Sequence, residues 1–181
     1  ERGTPAPGLL QRIEAAIVFE DARLLVLDKP SGVASHGGSG ISFGAIETLR
    51  ALRPGQTLEL AHRLDRDTSG VLVMAKKRSA LAELQALMRD GGSGGGIRKR
   101  YLALLAGRMP DGTMSVDAPL HIGLRQGGER HVQVSDAGKA SLSHFRLLER
   151  SGGQSYCEVR IETGRTHQIR VHALHIGHPV A

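Results

Sequence analysis

Three features of the chain predict an α+β domain. Two apolar runs near the start, Ile17-Val18-Phe19 and Leu24-Leu25-Val26-Leu27, are separated by the turn Glu20-Asp21-Ala22 and read as a β-hairpin. Apolar residues at helical spacing recur in separate stretches, each beside a stop or cap signal. The second half is rich in strand-like runs. The 181 residues suffice for one domain with a real core, and neither an internal repeat nor a second domain is evident.

The elements follow in order. Residues 1–12 are expected to be a linker or tail, with the domain proper spanning 13–181. Glu1 to Gly8 carries two prolines and two glycines, and the chain is expected to begin partway through a longer protein. Leu9 to Ala16 has short helical spacing. The hairpin follows and closes at Asp28-Lys29-Pro30-Ser31-Gly32, where Pro and Gly each set special backbone angles. Beyond the loop His36-Gly37-Gly38-Ser39-Gly40, a helix is predicted from Ser42, as N-cap, to Leu52, with Pro54-Gly55 as its stop. Val71 to Ala75 reads as a buried strand. Ser79 is expected to cap a helix that carries Leu81, Leu84, Leu87 and Met88 on one face. Gly91 to Gly96 lacks the spacing and the Lys-Ser/Thr of a phosphate-binding loop. Strands are predicted at Tyr101–Gly107, Met114–Leu120, His131–Val134, Lys139–Leu148 and Ser155–Glu162, with turns at Gly127-Gly128 and Ala137-Gly138. In the last of these, Cys157, Val159 and Ile161 alternate with polar residues, which predicts one buried face.

The formal charge is +6, so a polyanion is the expected partner, nucleic acid before membrane. No apolar run is long enough to span a bilayer, and no signal peptide is visible. The single cysteine, Cys157, reads as a buried small hydrophobe and points to a reducing cytoplasm. Aromatic residues make up 3% of the chain, which argues against a sheet that stacks several bases.

Two polar concentrations stand out. His62-Arg63-Leu64-Asp65-Arg66-Asp67-Thr68-Ser69-Gly70 lies between apolar runs, where a charged loop falls at the rim of a sheet. Its alternating cations and anions suit a carboxylate held ionised in a positive field, or else a surface turn laced with ion pairs. The second is Thr163-Gly164-Arg165-Thr166-His167-Gln168-Ile169-Arg170-Val171-His172. Thr166 is the expected N-cap of a helix from His167 to Ile176, with Gly177 at C′ and Pro179 beyond it; strand is the competing reading. Arg165, Arg170 and the helix N-terminus would together favour a carboxylate or a phosphate. His167, His172, His175 and His178 lack the i, i+4 spacing of a zinc-binding helix, so no metal site is expected.

Taken together, these motifs resemble the RluA superfamily of pseudouridine synthases. The residues that carry the resemblance are His62 to Gly70, Leu27-Asp28-Lys29-Pro30-Ser31-Gly32, Lys99-Arg100-Tyr101-Leu102-Ala103, and Gly164 to His172 with Gly177-His178-Pro179 behind it. They stand in the family's order, and the similarity runs from about Ile13 to Val180. His36 to Gly44 and the Asp65-Arg66-Asp67 spelling look most like the family's C-type branch, which acts on the large ribosomal subunit.

The resemblance implies an α+β catalytic domain with a mixed, mostly antiparallel central sheet, flanking helices and a central catalytic cleft. It implies isomerisation of uridine to pseudouridine in large-subunit ribosomal RNA, without cofactor or metal. It makes Asp65 the essential carboxylate, Tyr101 the residue that packs on the target base, and Arg170 the partner of Asp65. The chemistry suits these types. Asp65 either attacks C1′ as a nucleophile or takes a proton from C2′. Arg63 is the candidate to fill the gap left by the extruded base, and Arg66, Lys99, Arg100, Arg165 and His167 are the other candidate RNA contacts. Asp67, two residues beyond Asp65, is expected to hold Arg66 or backbone amides. A glycosidase is disfavoured, because neighbouring aspartates in one loop are poorly placed to flank a sugar. Family members usually continue past the His-Pro segment, and the C type carries an N-terminal S4-type RNA-binding domain; neither is present in these residues. A monomer in the cytoplasm is expected. The alternative is a non-catalytic basic RNA-binding or ribosome-assembly module of the same fold.

Overall fold

The computed structural model describes residues 3–38, 40–90, 95–125 and 130–181. Its contacts cluster into two compact units, Glu1–Ala86 and Leu87–Ala181. Four helices and ten strands are present among the described residues, and every strand pairing is antiparallel, in keeping with the predicted α+β class.

The first unit opens with α1 (Pro7–Ala15), which starts two residues ahead of the predicted spacing because Pro7 sits at the first helical position. The strands β1 (Ile17–Glu20), β2 (Leu24–Lys29), β3 (Glu59–Leu60) and β4 (Gly70–Ala75) form one sheet in the order β1-β2-β4-β3. Alternation along β2 and β4 turns Leu25, Leu27, Leu72 and Met74 inward, each fully buried. Ile13 of α1 and Leu49 of α2 (Ala45–Leu52) are fully buried as well, and the two helices pack together. Arg53, at the C-cap of α2, reaches Glu14 at 3.0 Å and Glu20 at 3.0 Å. Hydrogen bonds from Arg53 and then Lys76 hold the Glu20 carboxyl down at about 2.

The predicted strand end needs correction here. Lys29 was expected in a turn, yet β2 continues through it, because it pairs with Gly70 of β4 in register. Both predicted caps also move. Helix α2 starts at Ala45 rather than at Ser42, because the Glu47 carboxylate accepts the Gly44 N–H at 2.9 Å and so caps the helix from within. Ser79 lies inside the first turn of α3 (Arg78–Arg89), not before it. The predicted apolar face of α3 is half-buried at Leu81, Leu84, Leu87 and Met88.

In the second unit, β5 (Lys99–Ala106), β6 (Thr113–Asp117), β9 (Leu142–Ser151) and β10 (Gln154–Ile161) form a sheet in the order β5-β10-β9-β6. A hairpin of β7 (Leu120–Leu124) and β8 (Arg130–Val134) stands beside it as a separate pair. Cys157, Val159 and Ile161 are buried as the alternation predicted, together with Phe145, Leu105 and Ala173 of α4 (Gln168–His175). Burial pushes the Cys157 thiol up, so it stays protonated and inert. The chain end pairs with the β5 edge, Ala181 donating to the Leu104 carbonyl at 2.9 Å. The predicted turn at Gly127-Gly128 and part of the Gly91 to Gly96 segment lie outside the described residues. No helix among the described residues is long and apolar enough to cross a membrane.

Candidate active site

The polar loop of the first unit departs from β3 and enters β4, and its departure is held by a side chain. The Val73 N–H donates to His62 Nε2 at 3.0 Å, so the imidazole continues the ladder where the backbone leaves it. Beyond His62, every carbonyl from Leu64 to Asp67 accepts a hydrogen bond. Ser35 Oγ donates to the Leu64 carbonyl at 2.7 Å, and the Thr68 N–H donates to the Asp65 carbonyl at 3.1 Å. The Arg66 carbonyl accepts from Lys29 Nζ at 3.0 Å and from the Gly32 N–H at 2.9 Å. Ser31 Oγ donates to the Asp67 carbonyl at 2.8 Å. A backbone bound at each successive residue has little freedom left, so the loop presents its side chains from a rigid base.

Lys29 supplies one of these bonds from a buried ammonium. It is a lysine with none of its surface exposed, which is rare unless the ammonium is fully partnered. Its three N–H donors match three carbonyls, those of Val33 at 2.6 Å, Pro30 at 3.0 Å and Arg66 at 3.0 Å. Burial pushes the ammonium down from the ordinary lysine value, and the carboxylates of Asp67 and then Asp65 oppose that shift. Sequence reasoning placed Lys29 in a recognised motif but assigned it no role. The signal was available, since a lysine ending an alternating strand falls on the face of Leu25 and Leu27.

Asp65 itself is half-buried, whereas Arg63, Arg66 and Asp67 are exposed. Arg66 Nε lies 3.1 Å from Asp67 Oδ1, an exposed ion pair between neighbours in sequence, as expected for Asp67. Such a pair contributes little to stability.

The second unit carries the remaining candidates. Lys99 and Tyr101 stand at even intervals from Ala103 and Leu105, so they share the core-side face of β5, and Tyr101 packs against the core. Arg100 points to the opposite face, where it stands across from Arg160 in register. The two basic neighbours are therefore separated by the sheet, a division that a run of cations does not reveal. Lys99 is half-buried and held below the ordinary lysine value, first by burial and then by the Arg165 guanidinium. Its ammonium reaches the turn at Gly164, where a Cβ would stand 3.5 Å from Nζ. Lys99, Tyr101 and the Gly164-Arg165 turn thus form one neighbourhood.

The start of α4 also needs correction. Thr166 does not cap the helix; His167 occupies the N-cap position in the left-handed region at φ 54°, with no side-chain cap bond. It is the one non-glycine residue at positive φ among the described residues, a conformation that costs about 1–3 kcal/mol. Gln168 holds the turn ahead of the helix instead. Its Oε1 accepts from the Arg165 N–H at 3.1 Å and from Thr163 Oγ1 at 2.7 Å. Its Nε2 donates to Ser143 Oγ at 2.9 Å and to the Leu142 carbonyl at 3.1 Å.

His172, fully buried, completes the network. Its Nε2–H donates to the Ala118 carbonyl at 2.8 Å, so Nδ1 accepts from Ser143 Oγ, also at 2.8 Å. Burial pushes this imidazole below its ordinary value. His178 donates from Nδ1 to the Ala106 carbonyl at 2.9 Å. Both histidines are structural. Their network anchors the helix that exposes Arg170 on its first turn, with His167 and Arg165 exposed just ahead of it.

Residues 23–175 match the family of RNA pseudouridylate synthases. The ribosomal large subunit pseudouridine synthase C of Yersinia pestis is 55% identical over 166 residues, 91% of this chain and 51% of that protein. The protein of the same name from Escherichia coli strain K12 is 52% identical over 176 residues, 95% and 54% of the respective lengths. The chain spans about half the length of these curated relatives. Among solved structures, human RNA Pseudouridylate Synthase Domain Containing 1 matches with a TM-score of 0.76 at 26% identity, over 97% of this chain and 70% of that one. Human RNA Pseudouridylate Synthase Domain Containing 4 matches with a TM-score of 0.73 at 24% identity, over 96% and 69%.

Proposed function

Since the chain belongs to the family of RNA pseudouridylate synthases, we propose that it isomerises uridine to pseudouridine in large-subunit ribosomal RNA. Asp65 is the essential carboxylate in this reading, Tyr101 the stacking face for the target base, and Arg170 the cation that favours ionised Asp65. The observation that carries it is the fixation of the Asp65 loop. Four successive carbonyls, from Leu64 to Asp67, are bound, one of them by a buried lysine. A surface turn needs no such anchoring, whereas a reacting group must be held to within about half an ångström.

The reaction breaks the bond from C1′ to N1 and forms one from C1′ to C5, after which C5 loses its proton to solvent and N1 takes one up. Asp65 serves either as nucleophile at C1′ or as base at C2′. The base leaves the RNA stack to reach it. Tyr101, on the core-side face of β5, offers a stacking surface worth about 1–3 kcal/mol. Arg63 stands in for the extruded base, and Arg66, Lys99, Arg100, Arg165 and His167 contact the RNA. The protein acts as a monomer in the cytoplasm.

The test is release of tritium from large-subunit ribosomal RNA labelled at C5 of uridine. Release by the wild-type protein is expected. RNA binding without release would replace this reading by that of a non-catalytic RNA-binding module.

A further inference from the structure

We infer that Ser35 is a positioning residue for Asp65, acting through the peptide of Leu64. This rests on the reading of Asp65 as the reacting carboxylate. Ser35 lies in the loop between β2 and α2, is 3% exposed, and belongs to none of the segments given a chemical role above. Its hydroxyl donates to the Leu64 carbonyl at 2.7 Å and accepts from the Leu64 N–H at 2.9 Å. One side chain therefore holds both polar groups of the residue immediately before Asp65. Leu64 is itself buried, so without that hydroxyl its N–H and carbonyl lose these partners in a place water reaches poorly.

The backbone of Ser35 is as firmly placed as its side chain. The Ala45 N–H donates to the Ala34 carbonyl at 2.8 Å, and the Ile46 N–H donates to the Ser35 carbonyl at 3.1 Å. The first turn of α2 thus grips residues 34 and 35. The Glu47 carboxylate, one turn along, accepts the N–H groups of Gly37 and Gly44 and closes the loop behind them. Added bulk is excluded there, since a Cβ at Gly44 would lie 2.6 Å from the His36 backbone. Ser35 is the link that carries the position of the α2 N-terminus to the catalytic loop. Lys29, Gly32 and Ser31 bind the loop after Asp65, and Ser35 binds it before.

A hydroxyl with this role governs turnover rather than RNA affinity. A misplacement of about 1 Å at a reacting group can cost 10²-fold in rate. The experiment compares wild type, Ser35→Ala and Ser35→Thr by steady-state tritium release from C5-labelled large-subunit ribosomal RNA, with thermal unfolding as a check on folding. Ser35→Ala is expected to lower kcat about tenfold with KM for the RNA within twofold of wild type, and Ser35→Thr to restore most of the rate. A folded Ser35→Ala protein with wild-type kcat overturns the inference, as does a loss carried by KM alone. If Ser35→Ala does not fold, amide exchange at Leu64 in the wild-type protein decides. Slow exchange supports the clamp, and exchange at the rate of an open loop refutes it. Failure of the underlying reading is distinguishable, because then wild type releases no tritium or Asp65→Asn remains active.

Discussion

Lys29, with no exposed surface, donates from its ammonium to the carbonyl oxygen of Arg66 at 3.0 Å, and so ties the end of β2 to the loop that carries Asp65. The same ammonium serves Pro30 and Val33. Replacement by Met keeps the length of the side chain and removes every donor. The Arg66 carbonyl keeps Gly32, but those of Pro30 and Val33 lose the Lys29 donor. Lys29→Met is therefore expected to cost at least about 2 kcal/mol of stability, read as a lower unfolding midpoint. Tritium release by the folded fraction is expected to fall as well. An unchanged midpoint in denaturant would show that the ammonium is not the clamp.

Asp65 and Asp67 stand two residues apart and are treated differently by the fold. Asp65 is half-buried, while Asp67 is exposed and paired with Arg66. Asp65→Asn is expected to lower turnover by at least about 10²-fold, the scale of a directly acting carboxylate. Asp67→Asn removes an exposed ion pair and one of the two carboxylates that face Lys29, and is expected to stay within about threefold of wild type. Comparable losses in both variants would overturn this division of roles.

Tyr101 shares the core-side face of β5 with Lys99 and packs on the core. A ring held in this way stacks on a base at little entropic cost. Tyr101→Leu preserves the packing and removes the stacking surface. A loss of about 1–3 kcal/mol in kcat/KM, roughly 5- to 150-fold, is expected from single-turnover kinetics on the labelled RNA. Tyr101→Phe separates the phenol from the ring: stacking alone predicts near wild-type affinity.

His172 sets a pH dependence of stability. Its folded-state value lies below the ordinary 6.5, because burial penalises the charged ring; the hydrogen bond to the Ala118 carbonyl opposes that shift without cancelling it. Below about 6.5 the unfolded chain takes up a proton that the folded chain refuses. The contribution of His172 is thus complete above 6.5 and is lost as pH falls toward the lower folded value. The melting temperature is expected to drop between pH 7 and pH 5, and the drop to shrink in His172→Gln. An equal drop in both proteins would assign the effect to other groups.

Much of this protein could be read without a structure, because the signals concerned are local. Continuous apolar runs identified β2 and β4, alternation identified β10, and the buried face of Cys157, Val159 and Ile161 follows from a period of two. The α+β class, the family and the candidate residues Asp65, Tyr101 and Arg170 rest on motifs that each occupy a few consecutive positions. Gly177, at φ 80°, stands just past α4 where a C′ glycine was expected.

What escaped sequence reasoning depends on contacts between residues far apart in the chain. The cap expected from Ser42 failed because the longer Glu47 side chain reached the Gly44 N–H from inside the helix, while Ser79 lies within its helix and the start expected at Thr166 moved to His167. Spacing cannot rank such competitors, since the winner depends on how the loop is folded. Lys29 looked like a turn residue and is a buried clamp, because Gly70 pairs with it across more than forty residues. The charge run at Lys99 and Arg100 looked continuous, and a sheet divides it. Sequence by itself named the candidate side chains for the chemistry. Tertiary structure decided which neutral or hidden groups, Lys29, Ser35, Gln168 and His172, hold them in place, because a buried polar group takes its role from whatever partners burial leaves within reach.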